Sequence, residues 1–173
     1  MSVNVSAKDH ADEHLGEHLA RWVATAEVPA HLLTIELTES AVMTDAVAGT
    51  RALQALRSLG IRVSLDDFGT GYSSLTYLAS ISLDELKIVR SFLWQGAGDE
   101  GSVVVRSVVV LGKQLGLTVM AEGVESLPDC RRLASFGCDQ IQGFALCRTL
   151  PPAGLERWVR SRVRPGEHRA GQR

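Results

Sequence analysis

The sequence lacks most of the features that announce a partner. Its formal net charge is only −2, which gives no global steering toward nucleic acid or an anionic membrane. A charged n-region followed by an apolar h-region is missing at the start. No apolar run approaches the roughly 18 residues of a membrane span, so neither a signal peptide nor a transmembrane helix is expected. Cysteine is scarce. Cys130, Cys138 and Cys147 form no metal spacing and cannot all pair, which fits a reducing cytoplasm. A P-loop is missing. Asp67-Phe68-Gly69 imitates a kinase metal triplet, but there is no His-Arg-Asp loop, no Gly-rich phosphate loop and too little chain for two lobes.

What is present suits one domain with a real core: 173 residues, 45% hydrophobic and 22% charged, an ordinary soluble composition. The chain is organised around Ser64-Leu65-Asp66-Asp67-Phe68-Gly69-Thr70-Gly71-Tyr72-Ser73-Ser74. Ile61 to Leu65 reads as a buried strand that ends in two adjacent carboxylates. Such neighbours repel, so a fold keeps them together mainly where a cation sits between them. An Asx turn entering a Gly-rich loop is the plain alternative.

Around this stretch, strand and helix alternate. Strands are expected at Ser2–Ser6, Leu32–Leu37, Ile61–Leu65, Leu86–Val89, Leu117–Ala121 and Cys138–Phe144. Helices are expected over Ala11–Ala26, from a Thr44 cap to Leu59, over Ser73–Ala79, from a Ser102 cap to Leu115, from a Ser126 cap to Phe136, and from Pro151-Pro152 to about Val163. Leu15, Leu19, Trp22 and Val23 share a face of the first helix. Val104, Val108, Leu111 and Leu115 form the stripe of the fourth. His10, His14 and His18 recur at helical spacing, but Asp12, Glu13 and Glu17 make a solvated face the simpler reading than a metal site. Gln95–Gly101 is a polar, Gly-rich loop. Residues 164–173 form a basic tail with almost no apolar residue, expected to be disordered.

An internal echo supports parallel strands. Leu59-Gly60-Ile61-Arg62-Val63 resembles Leu115-Gly116-Leu117-Thr118-Val119, and Asp66 and Glu122 each lie six residues past the glycine. Both carboxylates therefore fall at the C-terminal ends of parallel strands. Glu36 and Glu122 also each begin a Glu-x-x-Glu-Ser motif. Alternating units imply parallel strands with right-handed crossovers. Asn4, Glu36, Asp66, Asp67, Lys87, Glu122 and Gln142 spread over all six strands, near their C-terminal ends. An open doubly wound sheet would gather them at one switch point; a barrel collects them around its mouth. A whole barrel needs about eight units and roughly 250 residues, so six of eight strand–helix units are expected here.

Several carboxylates, an amide and a lysine at one mouth are expensive to leave unpaired. Mg²⁺ or Mn²⁺ take all-oxygen ligands of this kind. Two such ions about 3.5–4 Å apart suit phosphodiester hydrolysis. Taken singly, each residue has a plain structural role: Lys87 as a salt-bridge partner, Glu36 and Glu122 as helix starts, Asn4 as a strand-end turn.

The order Asn4-Val5-Ser6, Glu36-Leu37-Thr38-Glu39-Ser40, Asp66 to Leu75, Leu86-Lys87-Ile88, Ala121-Glu122-Gly123-Val124-Glu125 and Gln142-Gly143-Phe144 resembles the EAL-domain family of bacterial cyclic di-GMP phosphodiesterases, over Ser2 to about Trp158. The resemblance implies an α/β fold: an incomplete TIM-type (β/α) barrel over 1–163. It also implies opening of cyclic di-GMP to linear pGpG with two Mg²⁺ or Mn²⁺ ions. Position by position, it implies Asn4, Glu36 and Asp66 as ligands of one metal, with Asp66 bridging to a second ion served by Asp67 and Glu122. Lys87 and Glu122 are the implied catalytic pair, positioning and deprotonating the water. Gln142 is implied to line the substrate pocket, and Glu39 to brace the Asp67–Ser74 loop, which in this family reaches a homodimer interface.

Two departures temper these expectations. No Glu-Ala-Leu occurs in the sequence, and Val89 stands where the family has Asp after Lys-Ile. Phe144 replaces the usual Tyr, and Cys147-Arg148-Thr149 lacks the usual Pro after its basic residue. The chain is therefore expected to be a weak or inactive phosphodiesterase. One explanation is a start site placed too late, with the missing strands encoded upstream, beside a sensory or diguanylate cyclase-type domain. A second is an inactive module that binds cyclic di-GMP or a protein partner, and a third is a structural remnant that hardly folds alone. No nucleic-acid polymer is expected as a partner. Val89→Asp alone is not expected to restore activity.

Overall fold

A computed structural model describes residues 1–6, 15–44, 46–69, 75–89, 91–92 and 99–162. Six parallel strands lie side by side in sequence order: β1 (Ser2–Val5), β2 (Thr34–Thr38), β3 (Arg62–Phe68), β4 (Glu85–Ile88), β5 (Thr118–Ala121) and β6 (Gln140–Ile141). The helices are α1 (Leu15–Ala26), α2 (Glu39–Thr44), α3 (Ala46–Ser58), α4 (Leu75–Ser80), α5 (Asp99–Gln114), α6 (Leu127–Ser135) and α7 (Pro152–Arg162). The order never reverses, so there is no switch point of the doubly wound kind. This is the strand order of a barrel wall, left open between β1 and β6 among the described residues.

Parallel strands buried on both faces usually read as unbroken apolar runs. These alternate instead. Ile35, Leu37, Val63, Leu65, Leu86, Ile88, Val119 and Ala121 join the core with Leu53 and Leu56 of α3 and Val105, Val108 and Val109 of α5. Because successive side chains point to opposite faces, the other face takes Thr34, Glu36, Ser64, Glu85 and Lys87, all buried. The hydrophobic core thus lies between sheet and helices, and the concave side of the wall is polar. Ser64 donates to Glu85 at 2.8 Å there, deep under the rim.

Three helices end alike. After α3, α5 and α6, Gly60, Gly116 and Gly137 take φ of 78°, 74° and 92°. The next residue's N–H then reaches five residues back, from Ile61 to Leu56, Leu117 to Gly112 and Cys138 to Leu133. A side chain at those glycines would strain the turn that feeds the next strand.

Several boundaries differ from the sequence reading. β2 begins at Thr34 because Ala30–Leu32 forms a 3₁₀ turn. β3 runs on through both aspartates to Phe68. The stretch after β2 holds a separate short helix, α2, before α3. α5 starts at Asp99, so Ser102 lies inside it, and its inward stripe is Val105, Val108 and Val109, with Val104 exposed. Valines fill two adjacent stripes of this helix. Gly112 selects the inward one: a Cβ there would press into Val119. β6 is two residues long, because the chain turns at Gly143 to pack on Val124. Trp22 is 62% exposed, with its ring 6.2 Å from that of His18. Ser126 caps α6 as expected, accepting from the Asp129 N–H at 3.2 Å. His10, His14, Thr70–Ser74, residues 95–98 of the Gly-rich loop and the 164–173 tail lie outside the described residues. No helix among the described residues is long and apolar enough to cross a membrane.

Candidate active site

The parallel register brings the C-terminal ends of the strands together. Lys87, on β4, is 2% exposed. Its ammonium meets Glu122 Oε1 at 2.5 Å, Glu36 Oε2 at 2.8 Å and Asp66 Oδ2 at 3.4 Å. Three acids from three elements thus converge on one buried cation, as the Gly60/Gly116 echo predicts for Asp66 and Glu122. Burial by itself lowers the pKa of this ammonium. Hydrogen bonds to Glu122 and Glu36, with the charges of Glu122 and Asp66, outweigh it and hold Lys87 well above an ordinary lysine. Glu122 moves the other way from a simple ion pair. Burial raises its carboxyl above the usual range, and the neighbouring Asp66 and Glu36 add to that, against the pull of Lys87.

β3 is shaped for this site by a bulge. Its register with β4 shifts between Leu65 and Phe68, so Asp66 and Asp67 together stand opposite Lys87. Asp67 takes the left-handed conformation, φ 56°, rare for a non-glycine residue. Its N–H donates to Asp66 Oδ1 at 2.9 Å. Bulges of this kind re-aim side chains near functional sites. Here the bulge leaves Asp67 exposed while Phe68 returns to the core. Asn4 stands directly across from Glu36 in the β1–β2 register, itself exposed.

Glu39 opens α2, immediately after β2. It is 3% exposed, and its Oε2 accepts the Gly69 N–H at 2.7 Å. Its Oε1 is buried and finds no hydrogen-bond partner among the described residues. The loop after β6 is sewn to the loop after β5: Val124 N–H donates to the Gln142 carbonyl, and Ala145 N–H to the Val124 carbonyl, at 3.1 and 2.9 Å. Gln142 lies exposed on that loop. Val89 is buried at the end of β4.

The donor set of Asn4, Glu36, Asp66, Asp67 and Glu122 is all oxygen, which fits a hard divalent cation. Among the described residues, however, no three acidic, histidine or cysteine side chains are arranged to share one ion. The Lys87 ammonium holds three of the carboxylates instead. A groove of about 630 Å³ runs along α5 past Val103, Arg106 and Val110. None of the site residues lines it.

The EAL-domain family model matches residues 1–149. The chain belongs to the EAL-domain family. It is 40% identical over 157 residues to a bifunctional diguanylate cyclase/cyclic di-GMP phosphodiesterase, MucR of Pseudomonas aeruginosa, covering 90% of this chain and 23% of that protein. The solved PaMucR phosphodiesterase, in complex with c-di-GMP, superposes with a TM-score of 0.85 at 37% identity, covering 89% of this chain and 63% of that one. The manganese/cy-diGMP complex of Klebsiella pneumoniae BlrP1 gives 0.76 at 31% identity, over 85% of this chain and 38% of that one. The EAL chain spans 20% to 27% of the length of the first curated relatives it matches. The expected family is thereby shown, and with it the α/β, TIM-type architecture.

The sequence reading named every group around Lys87. It missed the bulge, Phe92 (described below) and Glu85. Glu85 alternates with Lys87 on β4 and so faces the same way, which period-2 counting could have found.

Proposed function

We propose that this chain carries the greater part of a cyclic di-GMP phosphodiesterase site, opening cyclic di-GMP to linear pGpG, with weakened turnover. The observation that carries the reading is the meeting of Glu36, Asp66 and Glu122 on Lys87 at the rim of an EAL sheet. In this reading Asn4, Glu36 and Asp66 would hold one Mg²⁺ or Mn²⁺, and Asp66, Asp67 and Glu122 would hold a second. The chemistry supplied there would be a more acidic water and an offset to the charge of the phosphate.

The protein's own groups do the rest. Lys87 stays charged and, within reach of Glu36 and Asp66, orients an anionic phosphate or the attacking water. Glu122, with its carboxyl raised above the usual range by burial, is suited to accept the proton of that water. Gln142 presents a side-chain amide to the nucleotide. Glu39 pins the start of the loop that follows Asp67. We extend the same reading to a domain over 1–163 with a separate tail, a homodimer formed through that loop, an upstream sensory or diguanylate cyclase-type domain, and a cytoplasmic setting.

A second reading has its own observation. Val89 buries an apolar side chain where the family has a carboxylate. That substitution favours an inactive module that binds cyclic di-GMP or a protein partner. Incubation with cyclic di-GMP and Mn²⁺, followed by chromatography, separates the two. Slow formation of pGpG is expected; calorimetric binding without product supports the second reading. Neither binding nor product overturns both.

A further inference from the structure

Phe92 follows β4 by a tight turn in which its N–H donates to the Val89 carbonyl at 3.1 Å. Its ring packs against the core and reaches across to β3. At Gly69, φ is 91°, and a Cβ added there would lie 2.5 Å from Phe92 Cε2 and Cζ. The same Gly69 gives its N–H to Glu39. Gly69 is thus gripped from two sides, by the carboxylate that opens α2 and by the ring that follows β4.

The three members of this clasp each lie just past the end of a strand that carries a residue of the site: Glu39 past β2 with Glu36, Gly69 past β3 with Asp66, and Phe92 past β4 with Lys87. The clasp therefore joins the exits of β2, β3 and β4 just beyond the acids and their cation. Between Asp66 and Gly69 lies the bulge, with Asp67 in a strained conformation. Such a conformation persists only where its surroundings hold it. Glu39 supplies one hydrogen bond; Phe92 supplies the steric wall.

We propose that Phe92 is a positioning residue: by pressing on Gly69 it fixes the exit of β3 and so the placement of Asp66 and Asp67 against Lys87. It acts on those groups through Gly69. The part of the proposal that concerns metal affinity rests on the phosphodiesterase reading; the part that concerns the exit of β3 does not.

The test uses the full chain with Phe92→Ala, Phe92→Leu and Phe92→Tyr. Hydrogen exchange reads two amides: Gly69, held by Glu39, and Val119, held at the opposite rim by Asp139. In Phe92→Ala and Phe92→Leu the Gly69 amide is expected to exchange about tenfold faster or more, with Val119 unchanged. Phe92→Tyr, which keeps the ring, should stay within about twofold of the parent. Mn²⁺ affinity, read by calorimetry, should fall about tenfold in the first two variants only, the usual cost of losing a residue that orients ligands. Equal acceleration at Val119 would make Phe92 an ordinary core residue and overturn the proposal, as would an unchanged Gly69 amide. If the parent chain binds no Mn²⁺, the metal reading falls while the exchange arm still decides the role of Phe92. A double variant adds a check. Gly69→Ala should be less damaging in the Phe92→Ala background than in the parent, because the clash is gone and only the φ strain remains; additive damage would overturn the contact.

Discussion

At the N-terminal ends of the strands, two aspartates do the same job twice. Asp84 accepts the Val63 N–H at 2.8 Å, and its own N–H donates to the Val63 carbonyl. Asp139 does both with Val119. Each has a cation from the last turn of the helix that leads into the clamped strand, Arg57 of α3 at 3.7 Å and Lys113 of α5. At the C-terminal ends the acids are pooled instead of paired. Three acids share one lysine, Asp67 is held at positive φ, Gly69 is pressed by a ring, and Glu39 keeps a buried oxygen with no partner among the described residues. Acids are used at both ends. At one they close turns and find every partner; at the other they accumulate charge and strain around a single cation. This is the division between stability and chemistry that barrel folds show between their two faces, and it is present here in an open wall.

Removing the cation breaks the comparison most severely. Lys87→Met leaves Glu36, Asp66 and Glu122 without their common partner in a site that is mostly closed to water. Losing one side of such a buried arrangement costs about 3–5 kcal/mol. The chain should unfold at markedly lower urea, and any hydrolysis should cease. The sign of the pH effect follows from a native pKa above the unfolded one: the contribution of Lys87 is complete below the ordinary lysine range and is lost only as pH rises through the higher native value. The ammonium itself therefore adds no pH dependence to the Lys87→Met deficit across neutral pH; the deficit should shrink only as acid protonates the three carboxylates left without their cation. A variant as stable as the parent would show the carboxylates to be indifferent to the lysine.

Gly143→Ala comes next. Gly143 has φ 154°, and its Cβ would overlap the nitrogen and carbonyl oxygen of Val124. The obstacle is backbone, so it cannot yield as a side chain would. Overpacking with strain costs about 2–3 kcal/mol. The expected result is a fall in thermal midpoint, with the loop that carries Gln142 detached from the loop after Glu122. An unchanged midpoint would mean that the two loops are not tightly joined.

What could be read from the sequence divides along the same line. The echo of Gly60 and Gly116 placed Asp66 and Glu122 at one rim, because equal offsets along parallel strands need no knowledge of tertiary contacts. Lys87 could be placed in a strand by the apolar residues beside it. The bulge could not be foreseen, since two adjacent aspartates leave no trace in a period-2 pattern. Gly69 meets Glu39 across thirty residues, and no local rule links them. Trp22 was placed on an apolar stripe by spacing alone, yet it lies exposed against His18. The clamps at Asp84 and Asp139 were legible in principle: each aspartate stands just before a strand, one strand after a Gly-stopped helix.

The smallest effect sharpens the comparison best, because it belongs to the other rim. Asp139→Asn keeps the shape of the clamp but loses its charge toward Lys113 and weakens its grip on the Val119 N–H. Burial alone would raise the Asp139 carboxyl, but the hydrogen bonds from Lys113 and Val119 pull it below the usual carboxylate range. A lowered native pKa means stability that is present above the unfolded value and lost as pH falls through the native one. The side chain is about one-third exposed, so solvent screening holds the loss at neutral pH to about 1 kcal/mol. In urea titrations, Asp139→Asn should differ from the parent at pH 7 and converge with it in acid, once Asp139 is protonated. Lys87→Met should show no such convergence tied to Asp139. If instead the Asp139→Asn difference persists unchanged into strong acid, the clamp works through shape and not through charge, and the likeness drawn between the acids of the two rims ends at their hydrogen bonds.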